Sequence, residues 1–537
     1  MRRQPQHPAQ AGRLRYWSTQ MLTGGGRQPE DGEHERRYDH PSGGADMREF
    51  KLFINGEFCD AAGGETYESI HPGTGEVVAS VAKGGAEDVA RACAAAQAAF
   101  DGEWGALSSA ERAGILGTVA CMIERDAEEL AELEMLDVGK PINEATNIDV
   151  PVAANYLRWY SQMTNAPMGE TIPLPNPANI DYSLWQPYGV CGGIVPWNFP
   201  LFLAVLKIGG ALATGNCMVI KPAGITPMTT LKLAELFAEA NLPEGALNVI
   251  TGPGATVGEA LVTDPRVRMV SFTGSTATGR RILELATRNI TDVSIELGGK
   301  SPNIIFADAD FDQAVAGAVF GILLNNGQNC IAGSRLLVEE SIYEDVVDAV
   351  ASKLASLRIG QPADESTQLG AIVSREQFGK IMGYIEQGKA EGARLVHGSK
   401  APEGEQFAGG FFIEPTLFAD VSNQMTIARE EIFGPVLVAI PFADEAEALR
   451  IANDTPYGLG SGVFTTNADR IERMVRGLQS GTVYVNTYNQ VYPQSPFPGW
   501  KQSGNGAERG LQGLYAYVRY KNVIQEVSGA PIGWFGA

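Results

Sequence analysis

Apolar and polar positions divide the chain into an unpatterned start, a mixed region, and a long alternation of strand and helix signals. Residues 1–47 are rich in Arg, Gln, Pro, Gly and His with almost no apolar period. Such a segment buries too little to offset its ordering entropy and is expected to be a disordered tail. Its basic first half, without an acid before Glu30, fits an organelle presequence or residues upstream of a start at Met47. Strand-like alternation begins at Phe50 to Phe58, and short strands and turns continue from Glu68 to Val81. Helical spacing follows in the alanine-rich run Gly85 to Phe100. Ser108 and Glu111 then form a capping box opening a long helix through Ile115, Val119 and Ile123, which continues or restarts toward Gly139. Pro167 to Trp185 breaks this pattern with prolines and is too long for a routine connection, so a projecting strand pair or arm is expected.

From Gly189 the pattern alternates strictly. VCGGIVPW, Cys217 to Pro222, Ala246 to Gly252 and Val267 to Gly274 read as strands with their trailing turns. Between and after them come helices at Leu201 to Thr214, Thr229 to Ala240, Ala255 to Thr263 and beyond Thr276. A second series contains strands at Val293 to Leu297, Asn303 to Phe306, Arg335 to Glu339, Pro435 to Pro441 and Thr482 to Asn486. Its helices are at Phe311 to Leu324, Ile342 to Ser356, Glu376 to Glu391 and Glu445 to Asn453. This order predicts an α/β fold of two lobes, with mainly parallel sheets covered by helices and ligands beyond the carboxyl ends of the strands.

Composition narrows the function classes. A chain of 537 residues exceeds what one core supports, so several domains are expected. The formal net charge of -22 excludes a basic field for nucleic acid or anionic membranes. No apolar run reaches the roughly 18 to 20 residues of a membrane helix. Six cysteines without CxxC spacing disfavour a disulfide framework and a zinc site, so no metal is expected and a reducing cytoplasm fits. Of five histidines only His71 and His397 lie in the body of the chain, so a general base is more readily a carboxylate.

Four stretches carry candidate chemistry. Asn325 to Arg335 is a polar, glycine-flanked loop holding Cys330; a thiol among Asn, Gln and Gly is either a nucleophile or an inert turn residue. Phe272 to Gly279 (FTGSTATG) follows a strand and opens a helix, so its amides can hold a phosphate or merely cap the helix. Glu296 ends a strand before Gly298 and Gly299, as a general base with room for substrate or cofactor, or as a solvated strand end. Asn198, in Pro196 to Pro200 (PWNFP), offers an amide donor for an oxyanion or a helix cap.

Together these pieces resemble the NAD(P)-dependent aldehyde dehydrogenase superfamily. The likeness runs from about Lys51 to Val527 through PWNFP, KPA, FTGST, ELGGKSPNII, the GQNC loop, Glu430 to Pro435 (EEIFGP), Asn453 to Gly458 (NDTPYG) and Pro496 to Gly504 (PFPGWKQSG). The resemblance implies a dinucleotide-binding domain over 48–164 and 188–298, a catalytic domain over 299–500, and bridging segments at 165–187 and 501–537. It implies Cys330 as nucleophile, Glu296 as base for the hydrolytic water, Asn198 with the Cys330 backbone N–H as oxyanion site, and Lys207 in support. It implies a cofactor, NAD or NADP, against Trp197, Lys221, Gly274, Ser275, Gly298, Gln377, Lys380, Glu431 and Phe433. The implied reaction takes an aldehyde through a thiohemiacetal and a thioester on Cys330 to the acid. The partners implied are an aldehyde and further copies of the same chain, as a dimer or tetramer.

Two departures matter. Gly224 stands after Lys221-Pro222-Ala223 where most relatives place a Glu, which leaves NAD and NADP both open. Ala507 stands where relatives commonly have Arg, with Arg509 later, and a scaffold effect is expected. The aldehyde tunnel is expected from Phe199, Leu203, Leu206, Asn329, Ile331, Tyr488, Val491 and Phe497. With no Arg clamp expected in it, medium-sized aliphatic or aromatic aldehydes fit. A CoA-acylating relative and a cysteine hydrolase are the alternatives; Glu296 speaks against the first, and the lack of a placed His against the second.

Overall fold

The structure, a computed structural model, describes residues 47–529. The expected disordered tail therefore falls, except for Met47, outside the described residues, as do residues 530–537 of the expected bridging segment.

Two large sheets organise the chain. The first has eight strands, ordered Gly504–Asn505, Asp292–Glu296, Val267–Thr273, Val190–Ile194, Cys217–Lys221, Leu247–Val249, Leu52–Ile54, Glu57–Cys59. Its five inner strands run parallel, while the edges, Gly504–Asn505 on one side and Leu52–Ile54 with Glu57–Cys59 on the other, pair antiparallel. The second has seven strands, ordered Arg394–His397, Thr416–Ala419, Val436–Phe442, Arg335–Glu339, Pro302–Ile305, Gly460–Phe464, Thr482–Val485, parallel except at the Arg394–His397 edge.

Burial explains why these strands are nearly continuous apolar runs. In the second sheet Leu336 and Val338 pack into one buried cluster and Leu337 into another; likewise Val436, Val438 and Ile440 oppose Leu437 and Ala439. Side chains alternate across a strand, so a sheet covered on both faces needs apolar residues at every position.

The expected helices form close to their sequence signals. Ser108 caps the helix Ser109–Arg125 with Glu111 closing the capping box, as its S-x-x-E spacing dictates. A second helix, Ala127–Val138, ends at Gly139, whose φ of 79° suits a residue without Cβ. The chain then winds through a π-helical turn, Ala145–Asp149, into the helix Val150–Gln162, which Pro151 concealed in the sequence. Pro151 sits in the first turn, where a missing N–H costs little. The stretch expected as an arm contains the strands Thr171–Ile172 and Asn179–Pro187. The latter pairs antiparallel along its whole length with Val518–Glu526.

The strand Gly460–Phe464 (GSGVF) has too little side chain to announce itself, yet it lies inside the second sheet. A Cβ at Gly462 would come 2.5 Å from Asn303 Oδ1 and 2.6 Å from a Tyr488 ring carbon. The glycine lets Tyr488 lie flat against the sheet. Gly462→Val is expected to cost about 1–3 kcal/mol by overpacking; a melting temperature equal to wild type would show that the strand yields instead.

Candidate active site

The carboxyl ends of the first sheet and the amino ends of the second face a common cavity of about 260 Å³. Strand Asp292–Glu296 delivers Glu296 as its last residue, paired with Thr273 at the end of the next strand. Asn198 follows Val190–Ile194, and Cys330 precedes Arg335–Glu339. Of the residues expected to act, Cys330, Glu296, Asn198, Trp197, Gly274, Ser275, Gly298, Gln377, Lys380, Glu431, Phe433, Phe199, Leu203, Asn329, Ile331, Val491 and Phe497 all line this cavity.

Four do not. Leu206 faces a separate small pocket beside Tyr160 and Tyr517, which corrects its place in the expected tunnel. Tyr488 lies beneath the cysteine loop, stacked near Tyr484 and donating its hydroxyl to the Ile331 carbonyl at 3.0 Å, so it supports the loop and does not line the tunnel. Lys221, the last residue of its strand, is buried with its ammonium donating to the Pro222 carbonyl at 2.9 Å; desolvation lowers its pKa to about 8. Lys207 is buried and reaches the cavity through Glu508, whose Oε1 it meets at 2.6 Å, and through the Thr273 hydroxyl, while also donating to the Ser271 hydroxyl.

The cysteine loop is held by backbone and by amide side chains. Asn325, Asn326 and Gly327 take φ of 53°, 55° and 75° in succession. Asn tolerates this left-handed region better than most residues, and a Cβ on Gly327 would collide with the Gly434 carbonyl. Asn326 is bonded on both sides, to Gly370 N and Ala371 O. Gln328 accepts from Val373 N. Asn325 donates to the Asn198 carbonyl at 2.6 Å, and Asn198 donates in turn to the Gln328 carbonyl at 3.0 Å. An amide nitrogen carries two protons, so Asn198 keeps one N–H. The Cys330 backbone N–H has no acceptor among the described residues.

Behind the loop lies a buried charge cluster. Lys140 meets Asp149 at 2.7 Å and Glu134 at 3.2 Å, and lies over the Phe199 ring. Glu144 accepts from the Asn325 N–H. Burial pushes the Glu134 and Glu144 carboxyls up, with Lys140 opposing.

Cys330 and Glu296 are both held toward their neutral forms. Burial raises the Cys330 thiol to about 12, with Arg509 opposing and Glu431, Glu296 and Glu508 reinforcing. Burial, then Glu508, raises Glu296 well above the usual carboxylate range, and neither carboxyl oxygen makes a hydrogen bond of ordinary geometry.

The other end of the cavity suits a dinucleotide. Ser275 caps the helix Thr276–Ala286, accepting from Thr278 N, and a Cβ on Gly274 would run into the Phe272 ring. Glu431 accepts from the Gly299 N–H at 3.0 Å, and a Cβ on Gly298 would strike its carboxylate. Gln377 donates to the Ile432 and Phe433 carbonyls, holding Phe433 at φ 61° against Trp197. A helix amino terminus, a buried lysine and side-chain-free backbone are what a pyrophosphate and its ribose need.

Two residues of the site carry no signal in the sequence. Glu508 and Arg509 line the cavity from within GNGAERGL, whose glycines read as loop. The expectation of a tunnel without arginine is thereby corrected.

A cysteine nucleophile beside a sheet of dinucleotide-binding type is the combination of an oxidoreductase that works through a covalent sulfur intermediate. The profile described as "Aldehyde dehydrogenase family" matches residues 58–523, and the chain belongs to that family. It is 42% identical over 487 residues to betaine aldehyde dehydrogenase of Bacillus subtilis, covering 90% of this chain and 99% of that protein. It is 44% identical over 480 residues to the mitochondrial aldehyde dehydrogenase of Homo sapiens, covering 89% and 92%. Among solved structures, the NAD+ complex of aldehyde dehydrogenase from Bacillus cereus superposes with a TM-score of 0.88 at 42% identity, over 90% of this chain and 97% of that one. The protein is an NAD(P)-dependent enzyme that oxidises an aldehyde. Among the described residues no cluster of His, Cys, Asp and Glu could hold a metal, and no helix is long and apolar enough to cross a membrane.

Because the Cys330 thiol lies high, alkylation of the free enzyme at Cys330 by iodoacetamide is expected to rise about tenfold per unit between about pH 7 and 9 without a plateau. Peptide mapping of the alkylated chain reads it; a plateau near neutrality would mean a thiolate already formed in the empty site.

Proposed function

We propose that Cys330 performs the covalent step and Glu296 the hydrolytic one, on a medium-sized aliphatic or aromatic aldehyde. The observation that carries this is one cavity shared by a thiol, two uncommitted N–H donors and an unpaired carboxyl. The Cys330 thiol gives its proton to solvent water and the sulfur adds to the aldehyde carbon, the carbonyl electron pair moving onto oxygen. The resulting oxyanion is taken by the second Asn198 N–H and the Cys330 backbone N–H; losing one such donor typically costs roughly 2.7 to 4 kcal/mol of barrier. Trp197, Lys221, Gly274, Ser275, Gly298, Gln377, Lys380, Glu431 and Phe433 would hold a nicotinamide dinucleotide, which would supply the two-electron acceptor. Glu296, made basic by burial, then takes a proton from water attacking the Cys330 thioester, and the acid departs as the thiol re-forms. Lys207 and Glu508 position the strand ends that carry Thr273 and Glu296.

In this reading the first sheet with its helices, within 48–164 and 188–298, serves the dinucleotide, and 299–500 supplies the nucleophile. Both NAD and NADP are proposed as acceptors. A Cβ on Gly224 would meet nothing within 4 Å, so that glycine leaves space without a carboxylate to repel a 2′-phosphate. A cytoplasmic setting suits six free cysteines. The strand pair Asn179–Pro187 and Val518–Glu526 exposes Ile180, Leu184, Tyr520 and Ile524. These support a homo-oligomer, dimer or tetramer, bridged through 165–187 and 501–529; a single-chain mass in sedimentation would remove that part.

Cys330→Ala is expected to lower kcat at least about 10⁴-fold while cofactor binding, followed by fluorescence quenching, stays measurable. Glu296→Gln is expected to give a burst of reduced cofactor and then turnover slowed about 10²–10⁴-fold. Retained turnover in the first, or normal steady-state turnover in the second, would refute the assigned role. Acyl-CoA as the main product with CoA present would replace water by CoA as the acyl acceptor.

A further inference from the structure

We propose that Arg509 is a specificity residue that binds a carboxylate on the substrate, making the preferred substrates aldehydes that also carry an acid group. The inference deepens the assignment above and rests on Cys330 being the nucleophile in the same cavity. Arg509 is 8% exposed, yet among the described residues its guanidinium has no carboxylate within 4 Å and its buried Nε has no acceptor, the Tyr156 hydroxyl being the one neutral oxygen it approaches. It lies among aromatic faces, 4.2 Å from the Phe497 ring centroid, 5.4 Å from Phe202 and 6.0 Å from Tyr156. Aromatic faces attract a cation but leave its N–H groups without acceptors. A buried charge without a hydrogen-bonding partner is costly.

The same chain shows how it treats a buried guanidinium that has only a structural task. Arg335, fully buried, donates to the carbonyls of Lys300, Ile451 and Ala452 and to Asn423. Arg509 has no such set. Its backbone is also forced, with φ 61° and ψ 171° at a non-glycine residue, a conformation that costs of order 1–3 kcal/mol and collects at functional sites.

The other charges around the cavity are accounted for. Asp149 is paired with Lys140, Glu508 with Lys207, Glu431 is bonded to the Gly299 amide, and Lys380 is solvent-exposed. Burial favours the neutral form of Glu296. One uncompensated positive charge matches a carboxylate, whereas a phosphate dianion would remain half unpaired. Phe497, whose ring Arg509 lies over, belongs to the apolar cluster against which Cys330 packs, and all three line the same cavity, so one small substrate can meet both the thiol and the guanidinium.

The test compares kcat/KM for 4-formylbenzoate and its neutral isostere 4-formylbenzamide, and for 5-oxopentanoate and pentanal, in the full chain with NAD or NADP. In wild type the carboxylates are expected to be preferred at least about tenfold, the scale of a charge-assisted hydrogen bond. In Arg509→Gln that ratio should fall at least about tenfold, mainly through KM, and Arg509→Lys should restore part of it. Equal kcat/KM within each pair, with a ratio unmoved by Arg509→Gln, would overturn the carboxylate site while leaving aldehyde oxidation intact. Failure of wild type to oxidise any of the four aldehydes would strike the catalytic assignment instead. Should Arg509→Gln not fold, wild type alone decides. Benzoate is expected to inhibit pentanal oxidation competitively with a Ki at least about tenfold below that of benzamide, and equal constants would overturn the proposal.

Discussion

The backbone of Asn325-Asn326-Gly327 is the constraint on which the site depends. Three consecutive left-handed residues turn the chain back from the helix Phe311–Leu323 so that Cys330 faces the first sheet without belonging to it. That geometry is unfavourable by itself. It persists because every amide side chain in the turn is tied to backbone or to a neighbouring loop: Asn325 to Asn198, Asn326 to Gly370 and Ala371, and Gln328 to Val373. The ties reach Asn198 in the first sheet's strand-to-helix turn and 370–373 beside the second, so Asn198 and Cys330 are set by one network. Buried polar networks of this kind are favourable only when complete. The donors left free here are the second Asn198 proton and the Cys330 N–H, and the Asn198 and Asn325 side-chain oxygens are free beside them.

Charge follows a related logic. Lys140 is neutralised among acids behind the loop and Lys207 on Glu508 at its side, whereas the Lys300 ammonium is buried without a hydrogen-bond partner among the described residues. Burial holds the Glu296 carboxyl and the Cys330 thiol toward their neutral forms, and neither Glu296 oxygen has an ion-pair partner among the described residues. Groups perturbed in this way collect where protons are moved. Arg509 is likewise buried without a carboxylate partner among the described residues, and its Nε has no acceptor.

Periodicity was enough to read most strands and helices of both sheets, because strands buried on two faces and helices with capping residues depend on local pattern. Cys330, Glu296 and Asn198 were equally legible, each standing at a strand or helix end among glycines and amides where packing alone would not place it. The helix Val150–Gln162 was hidden by Pro151, and Gly460–Phe464 by its glycines, because in both the deciding contacts come from elsewhere in the chain.

The sequence by itself determined the α/β order and the family, since these rest on residue type and spacing. Only the tertiary structure decided which side chains share the cavity. Leu206 and Tyr488 are turned away from it by the packing of their helix and loop, while Glu508 and Arg509, in a stretch that reads as a featureless turn, are carried into it. The physical reason is distance along the chain: Lys207 and Glu508 are 301 residues apart and meet at 2.6 Å. No local pattern records a contact that exists only after both sheets have formed.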